Sequence, residues 1–238
     1  MQTPTDLVYL EAPPRVSGAA TPPLLIMLHG VGSHEGDLLG LAPMLDPRFH
    51  TVSLRAPYTL DRGSYAWFHV EFTPDGPHHN PEDAEASREL LVDTIPALVA
   101  ATGTDPDQVY LLGFSQGAIM ALFLALTDPT SVAGAVMMSG RTLPEVRTRL
   151  GLPVDLAKLA VLVVHGTRDS KLGIQYARET RNFIATLPVA LEYHEYAMGH
   201  EVSQESLAEV AAWLTARLDE GPRLADADAA EADPSASA

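Results

Sequence analysis

The apolar positions fall into short, dense runs separated by polar, glycine- or proline-bearing stretches. Leu24–Leu28 is apolar throughout, and Val109–Leu112, Val132–Met138 and Ala160–Val164 are nearly so. Thr51–Arg55 is a mixed run stopped by Pro57. Continuous apolar runs of this length suit strands covered on both faces, whereas a half-exposed strand alternates. Leu191–Tyr196 does alternate and reads as an edge strand. Leu7–Leu10 adds an antiparallel edge strand to the expectation.

Helical stretches lie between these runs. Asn80-Pro81-Glu82-Asp83 is a start signal, with Asn as N-cap, Pro in the first turn and acids beside it. It predicts a helix to about Ala101, bent near Pro96. Further helices are expected over Ala118–Leu126 and Gln175–Ala185. Ser203 caps a last one, whose Leu207, Val210, Ala211 and Leu214 share a face. Strands alternating with helices predict an α/β fold, with a mostly parallel sheet flanked by helices on both faces. No internal repeat is visible.

Composition narrows the class. The chain has 238 residues, 46% of them apolar, and no cysteine. One domain over residues 1–218 is the simplest reading, with 219–238 an acidic Ala/Asp-rich tail expected to be disordered. Without cysteine there is no disulfide framework, thiolate nucleophile or Cys-based metal site. Residues 219 to 238 carry six acids and one arginine, so five of the net −16 charges lie in them and −11 on the body. Such a balance repels phosphate backbones, so no nucleic acid is expected as a partner. Met1–Asp6 lacks the basic and apolar segments of a leader, which makes the cytoplasm the expected compartment. No apolar run approaches the ~20 residues of a membrane span, so no stable membrane insertion is expected. Monomer and homodimer both remain open.

The chemistry sits in Gly113-Phe114-Ser115-Gln116-Gly117. A serine between glycines, after a strand and before a helix, is how a hydrolase exposes a nucleophile on a sharp turn. The helix N-terminus beyond it favours negative charge at that turn. A serine hydroxyl needs a base to take its proton, and the base needs a third group to orient it. Candidates are sought after Ser115 and near strand ends. Asp169 follows the run Val161–Val164, and His200 follows Leu191–Tyr196 within Met198-Gly199-His200. His165 ends a strand and is expected to pack or hydrogen-bond beneath the site. An oxyanion hole needs two N–H donors. Gln116, next to the serine, is one. The Gly-rich loop His29–His34 supplies the other, with Val31 preferred over Gly32.

These residues belong to a longer series of blocks. In order they are Leu28-His29-Gly30-Val31-Gly32, Arg55-Ala56-Pro57, Gly63–Phe68, Gly113–Gly117, Val164–Asp169 and Met198–His200. The series resembles the phospholipase/carboxylesterase family, which includes the acyl-protein thioesterases. The resemblance spans residues 24 to about 216. It implies an α/β hydrolase fold without a large cap domain, and hydrolysis of a small-molecule carboxylic ester or thioester with no metal or other cofactor. It makes Ser115, Asp169 and His200 a catalytic triad, with Val31 and Gln116 as oxyanion donors. Trp67 and Phe68 are candidates for the substrate pocket, core packing being the alternative for each. An amidase or peptidase with the same triad, and a non-catalytic interaction protein on this scaffold, are the competing readings. His69 and the stretch Ser170–Gly173 depart from the family pattern. The segment Phe72–Asn80 reads as a rim loop, whose His78-His79 lacks a further ligand set nearby in sequence and reads as solvated.

Overall fold

The computed structural model describes residues 7–16, 21–73 and 76–221. In chain order the elements begin with β1 (Tyr9–Ala12), β2 (Leu24–Leu28), the short α1 (Gly36–Leu39) and β3 (His50–Leu54). Two hairpins follow, β4 (Tyr58–Asp61) with β5 (Ser64–Ala66) and β6 (Val70–Thr73) with β7 (Gly76–His79). Next come α2 (Pro81–Thr102), β8 (Val109–Phe114), α3 (Gln116–Thr127), β9 (Gly134–Met138) and the short α4 (Pro153–Leu156). The chain closes with β10 (Ala160–Gly166), α5 (Ile174–Ile184), β11 (Ala190–Tyr196) and α6 (Gln204–Glu220).

The central sheet has seven strands in the order β1-β3-β2-β8-β9-β10-β11. Every pairing is parallel except that of β1 with β3. This is the α/β hydrolase arrangement, in one domain. The apolar runs divide their side chains between two cores. Leu24, Ile26 and Leu28 of β2 join the core under α2 and α3, while Leu25 and Met27 join the one under α1 and α6. The uninterrupted run is therefore apolar because both faces are covered. Helix α3 is buried from Gln116 to Leu126. Each large side chain so buried, such as Leu122 or Phe123, contributes roughly 1.5–3 kcal/mol.

Several elements differ from the sequence reading. Within the expected rim loop Phe72–Asn80, residues 72–73 and 76–79 are strand instead, because β6 and β7 form a hairpin with Val70 opposite His79 and Phe72 opposite Pro77, while 74–75 lie outside the described residues. Pro77 and the pair His78-His79 are poor strand formers, and pairing within a two-stranded ribbon overrides them. The hairpin β4–β5 was also not legible. Helix α2, by contrast, is the one element expected through Pro96, capped by the Asn80 side chain on Glu82 and Asp83 N–H and ended by Gly103 at φ 64°. The last helix runs two residues past the expected boundary to Glu220, and the rest of the tail, 222–238, lies outside the described residues. No described helix is long and apolar enough to cross a membrane.

A turn before β3 is tied to α6. Arg48 donates from Nε and Nη2 to the Asp46 carboxylate at 2.9 and 2.8 Å and pairs through Nη1 with Asp219 at 2.7 Å. The Arg48 hydrogen bonds hold the Asp46 carboxyl down at about 2. A depressed carboxylate stabilises the fold above its unfolded value, near 3.9, and loses that contribution as pH falls towards 2. Arg48 is 38% exposed, so screening reduces the effect to about 1 kcal/mol. Asp46→Asn is therefore expected to lower the urea midpoint at pH 7, with the gap to wild type narrowing between pH 5 and pH 3. A gap that stays constant over that range contradicts the assignment.

Candidate active site

Ser115 sits between β8 and α3 at φ 53°, ψ −115°, a strained conformation for a residue with a Cβ. The glycines on either side make the turn possible. A Cβ on Gly117 would lie 1.9 Å from the Leu28 carbonyl oxygen, and one on Gly113 would lie 2.3 Å from that of Gly117. Close packing of α3 on the ends of β2 and β8 thus excludes any side chain there. The Ser115 N–H donates to Met138 O at 2.9 Å, which ties the turn to β9. The first N–H groups of α3 have no carbonyl partner within the helix and carry its positive end.

His200 reaches Ser115 from the loop after β11. Its Nε2 is 2.9 Å from Ser115 Oγ, and its Nδ1 is 2.7 Å from Asp169 Oδ2. An ionised carboxylate only accepts, so Nδ1 carries the proton and Nε2 presents its lone pair to the hydroxyl. The His200 ring packs against Phe114, with centroids 5.1 Å apart. Asp169 is buried, and its Oδ1 accepts the N–H groups of Lys171 and Leu172, both at 2.8 Å. His165 braces this loop from below. Its Nε2 donates to Leu172 O at 2.7 Å and lies 3.4 Å from Asp169 Oδ2. Burial pushes the His165 pKa down, so the ring is neutral and its approach to Asp169 is not an ion pair.

The loop after β2 is set by His29. Burial lowers its pKa and keeps it neutral. Its Nε2 accepts the Ala56 N–H at 3.1 Å, so Nδ1 bears the proton and donates to Gly30 O at 2.8 Å. In a trans peptide the carbonyl and the next N–H point in opposite directions. Anchoring Gly30 O therefore turns the Val31 N–H away from His29. None of the hydrogen bonds among the described residues uses that N–H, and Val31 lines the cleft. Gln116 is held by its side chain, whose Oε1 accepts the Trp67 N–H and whose Nε2 donates to Phe68 O, both at 2.7 Å. These bonds lock the start of α3 to the segment after β5.

Above the serine lies a cleft of about 640 Å³, a volume suited to a small-molecule ligand. Its apolar walls include Phe68, Val70, Phe114, Ile119 and Leu172. The two aromatic candidates separate here. Phe68 lines the cleft, but Trp67 does not. Trp67 is fully buried, and its Nε1 donates to His29 O at 3.0 Å, so it supports the loop from behind. Of the departures from the family pattern, Lys171 and Leu172 line the cleft and His69 does not, being bonded to Asp83 at 2.6 Å. Pro77 of the second hairpin also lines it. Among the described residues His78 and His79 join no cluster of three metal-ligating groups; His78 is exposed as expected, but His79 is not solvated, its side chain being 11% exposed and 3.2 Å from the Glu145 carboxylate. Among the described residues one such cluster occurs, Glu192, His194 and Glu209, and none of its members lines the cleft.

Sequence reasoning missed the side-chain roles of His29 and Gln116, and it missed Arg141. That arginine lines the cleft two residues beyond Ser139. The signal was present, since Met138-Ser139-Gly140-Arg141 follows a parallel strand as Ser115 and Asp169 do.

The chain matches the family profile described as Phospholipase/Carboxylesterase over residues 16–218. The carboxylesterase SOBER1 of Arabidopsis thaliana is 28% identical over 170 residues, covering 68% of this chain and 73% of the relative. Acyl-protein thioesterase 1 of Mycosarcoma maydis is 29% identical over 226 residues, covering 83% and 92%. Among solved structures, that of esterase PE8 superposes with a TM-score of 0.78 at 26% identity, covering 88% of this chain and 98% of that one. A carboxylesterase from Bacillus cereus superposes with a TM-score of 0.76 at 20% identity, covering 89% and 94%, and shows the same fold.

Proposed function

The chain belongs to the phospholipase/carboxylesterase family, and from that premise we propose that it is a serine hydrolase cleaving small-molecule carboxylic esters or thioesters through an acyl-enzyme. The observation that carries this reading is the unbroken run from Asp169 Oδ2 through both His200 nitrogens to Ser115 Oγ, at 2.7 and 2.9 Å, on the wall of an apolar cleft.

In this reading His200 Nε2 takes the Ser115 proton as Oγ attacks the acyl carbonyl carbon. The carbonyl oxygen becomes an oxyanion, which the Val31 and Gln116 N–H groups receive. His200 then gives its proton to the leaving alkoxide or thiolate, and the acyl group stays on Oγ. A water molecule, deprotonated by His200, attacks the acyl-enzyme. Its second tetrahedral intermediate collapses to a carboxylic acid and a regenerated Ser115. Asp169 remains ionised throughout, fixing the Nδ1–H tautomer and stabilising the imidazolium. Placement in the cytoplasm belongs to the same proposal.

A matched butyrate panel tests it: an ester, a thioester and an anilide, each run with Ser115→Ala as the blank. Hydrolysis of ester and thioester well above the anilide is expected. An anilide turned over as fast as the ester would make the protein an amidase instead.

A further inference from the structure

The cleft is apolar and the protein is acidic, yet two cations line the cleft on one side of Ser115. Arg141 follows β9, and Lys171 follows β10 on the loop that also bears Asp169. In the sheet both strands lie on the side of β8 opposite to β2, whose loop holds Val31. Lys171 is one of only two lysines in the chain and makes no ion pair among the described residues.

Arg141 is more constrained. Its Nη2 donates to Pro77 O at 3.1 Å and faces His79 Nδ1 at 3.4 Å. The guanidinium stands 5.7 Å from the Tyr176 ring centre. No described carboxylate pairs with it directly. Glu145 is reached only through His79, whose Nε2 lies 3.2 Å from both Glu145 oxygens. The Arg141 Nε is buried without a partner, and no hydrogen bond among the described residues uses Nη1. Nη1 is therefore the end of the fork left for a ligand, and a half-buried guanidinium with no carboxylate beside it favours an anion there. The turn that presents it is itself strained, with Ser139 at φ 53°. The acidic group on the cleft wall, Asp37, belongs to the β2 side, where it accepts the Ser33 hydroxyl at 2.6 Å.

We propose that Arg141, assisted by Lys171, binds an anionic group on the substrate, so that the preferred ester carries a carboxylate a few bonds from the scissile carbonyl. Arg141 supplies the oriented fork and Lys171 a mobile point charge at the rim. The apolar wall of Phe68, Phe114 and Ile119 then packs the hydrocarbon between carboxylate and ester. This rests on the hydrolase reading above and gives that site a substrate class. The carboxylate can belong to the acyl chain or to the alcohol, and two substrate pairs separate these.

The experiment measures kcat/KM for monomethyl adipate against methyl hexanoate, and for 3-acetoxybenzoate against 3-tolyl acetate. At least one pair is expected to favour the anion, and the pair that does identifies the side. In Arg141→Met the anionic-to-neutral ratio for that pair is expected to fall roughly tenfold to a hundredfold. In Lys171→Met it falls less, about twofold to fivefold, and the wild-type preference shrinks as salt rises. Arg141→Lys keeps part of the ratio, which separates lost charge from lost packing. No anionic preference in either pair overturns the proposal, as does a ratio unchanged in both Met variants. Ser115→Ala on the neutral esters keeps the two readings apart. If it abolishes neutral-ester hydrolysis while wild type shows no anionic preference, only the anion site fails. If neutral-ester hydrolysis survives it, the hydrolase reading itself fails.

Discussion

Ser115→Ala is expected to lower kcat for p-nitrophenyl butyrate by about three to six orders of magnitude, with KM nearly unchanged. Alanine keeps the Cβ that the turn already accommodates at φ 53°, so the fold loses nothing new. The backbone bond from residue 115 to Met138 O and the side-chain bonds of Gln116 do not involve the hydroxyl. Only the atom facing His200 Nε2 at 2.9 Å disappears. Substrate still enters the cleft, and both proposed oxyanion donors remain, so a small residual rate from them is expected. Steady-state kinetics on the purified variant, with its thermal unfolding as control, reads the result. Retention of more than about a tenth of wild-type kcat would place the nucleophile elsewhere.

Asp169→Asn should cost about three to four orders of magnitude in kcat. The amide oxygen can still take the Lys171 and Leu172 N–H groups that now bind Oδ1, so the loop keeps its shape. What changes is the group facing His200 Nδ1. An amide NH2 there donates, so it favours the tautomer with the proton on Nε2, and the ring no longer offers Ser115 a lone pair. The charge that steadies the imidazolium is lost as well. A large fall in kcat with an unchanged urea midpoint is the expected pair of observations. Unchanged kcat would mean that Asp169 does not serve His200 in catalysis.

The parts legible in the sequence share a physical basis. Buried parallel strands must be apolar on both faces, so Leu24–Leu28, Val109–Leu112 and Ala160–Val164 stood out without any tertiary information. Ser115, Asp169 and His200 each sit just beyond a strand, and a parallel sheet gathers such positions at one edge. The structure brings these three side chains into one hydrogen-bonded series.

What was not legible depends on contacts distant in sequence. The hairpin β6–β7 is the local exception, hidden because Pro77 and two histidines hold strand positions against their propensity. Trp67 and Phe68 are neighbours in an irregular segment, where no periodicity says which ring faces the cleft. Buried partners decide it, namely His29 O for the Trp67 indole. The neutral state of His29, and the direction it imposes on the Gly30–Val31 peptide, follow from burial and from Ala56, 27 positions away. Arg141 was legible by position but not by chemistry, because an arginine after a strand gives no sign that no carboxylate will meet it.

Covalent labelling tests most directly whether Ser115 is an activated nucleophile. Wild-type protein is treated with a fluorophosphonate, and the adduct is located by peptide mass mapping while esterase activity is followed. The expected result is one adduct per chain, on Ser115, formed in step with loss of activity and strongly slowed in His200→Ala. An adduct on another residue, or full esterase activity in protein labelled at Ser115, would contradict it.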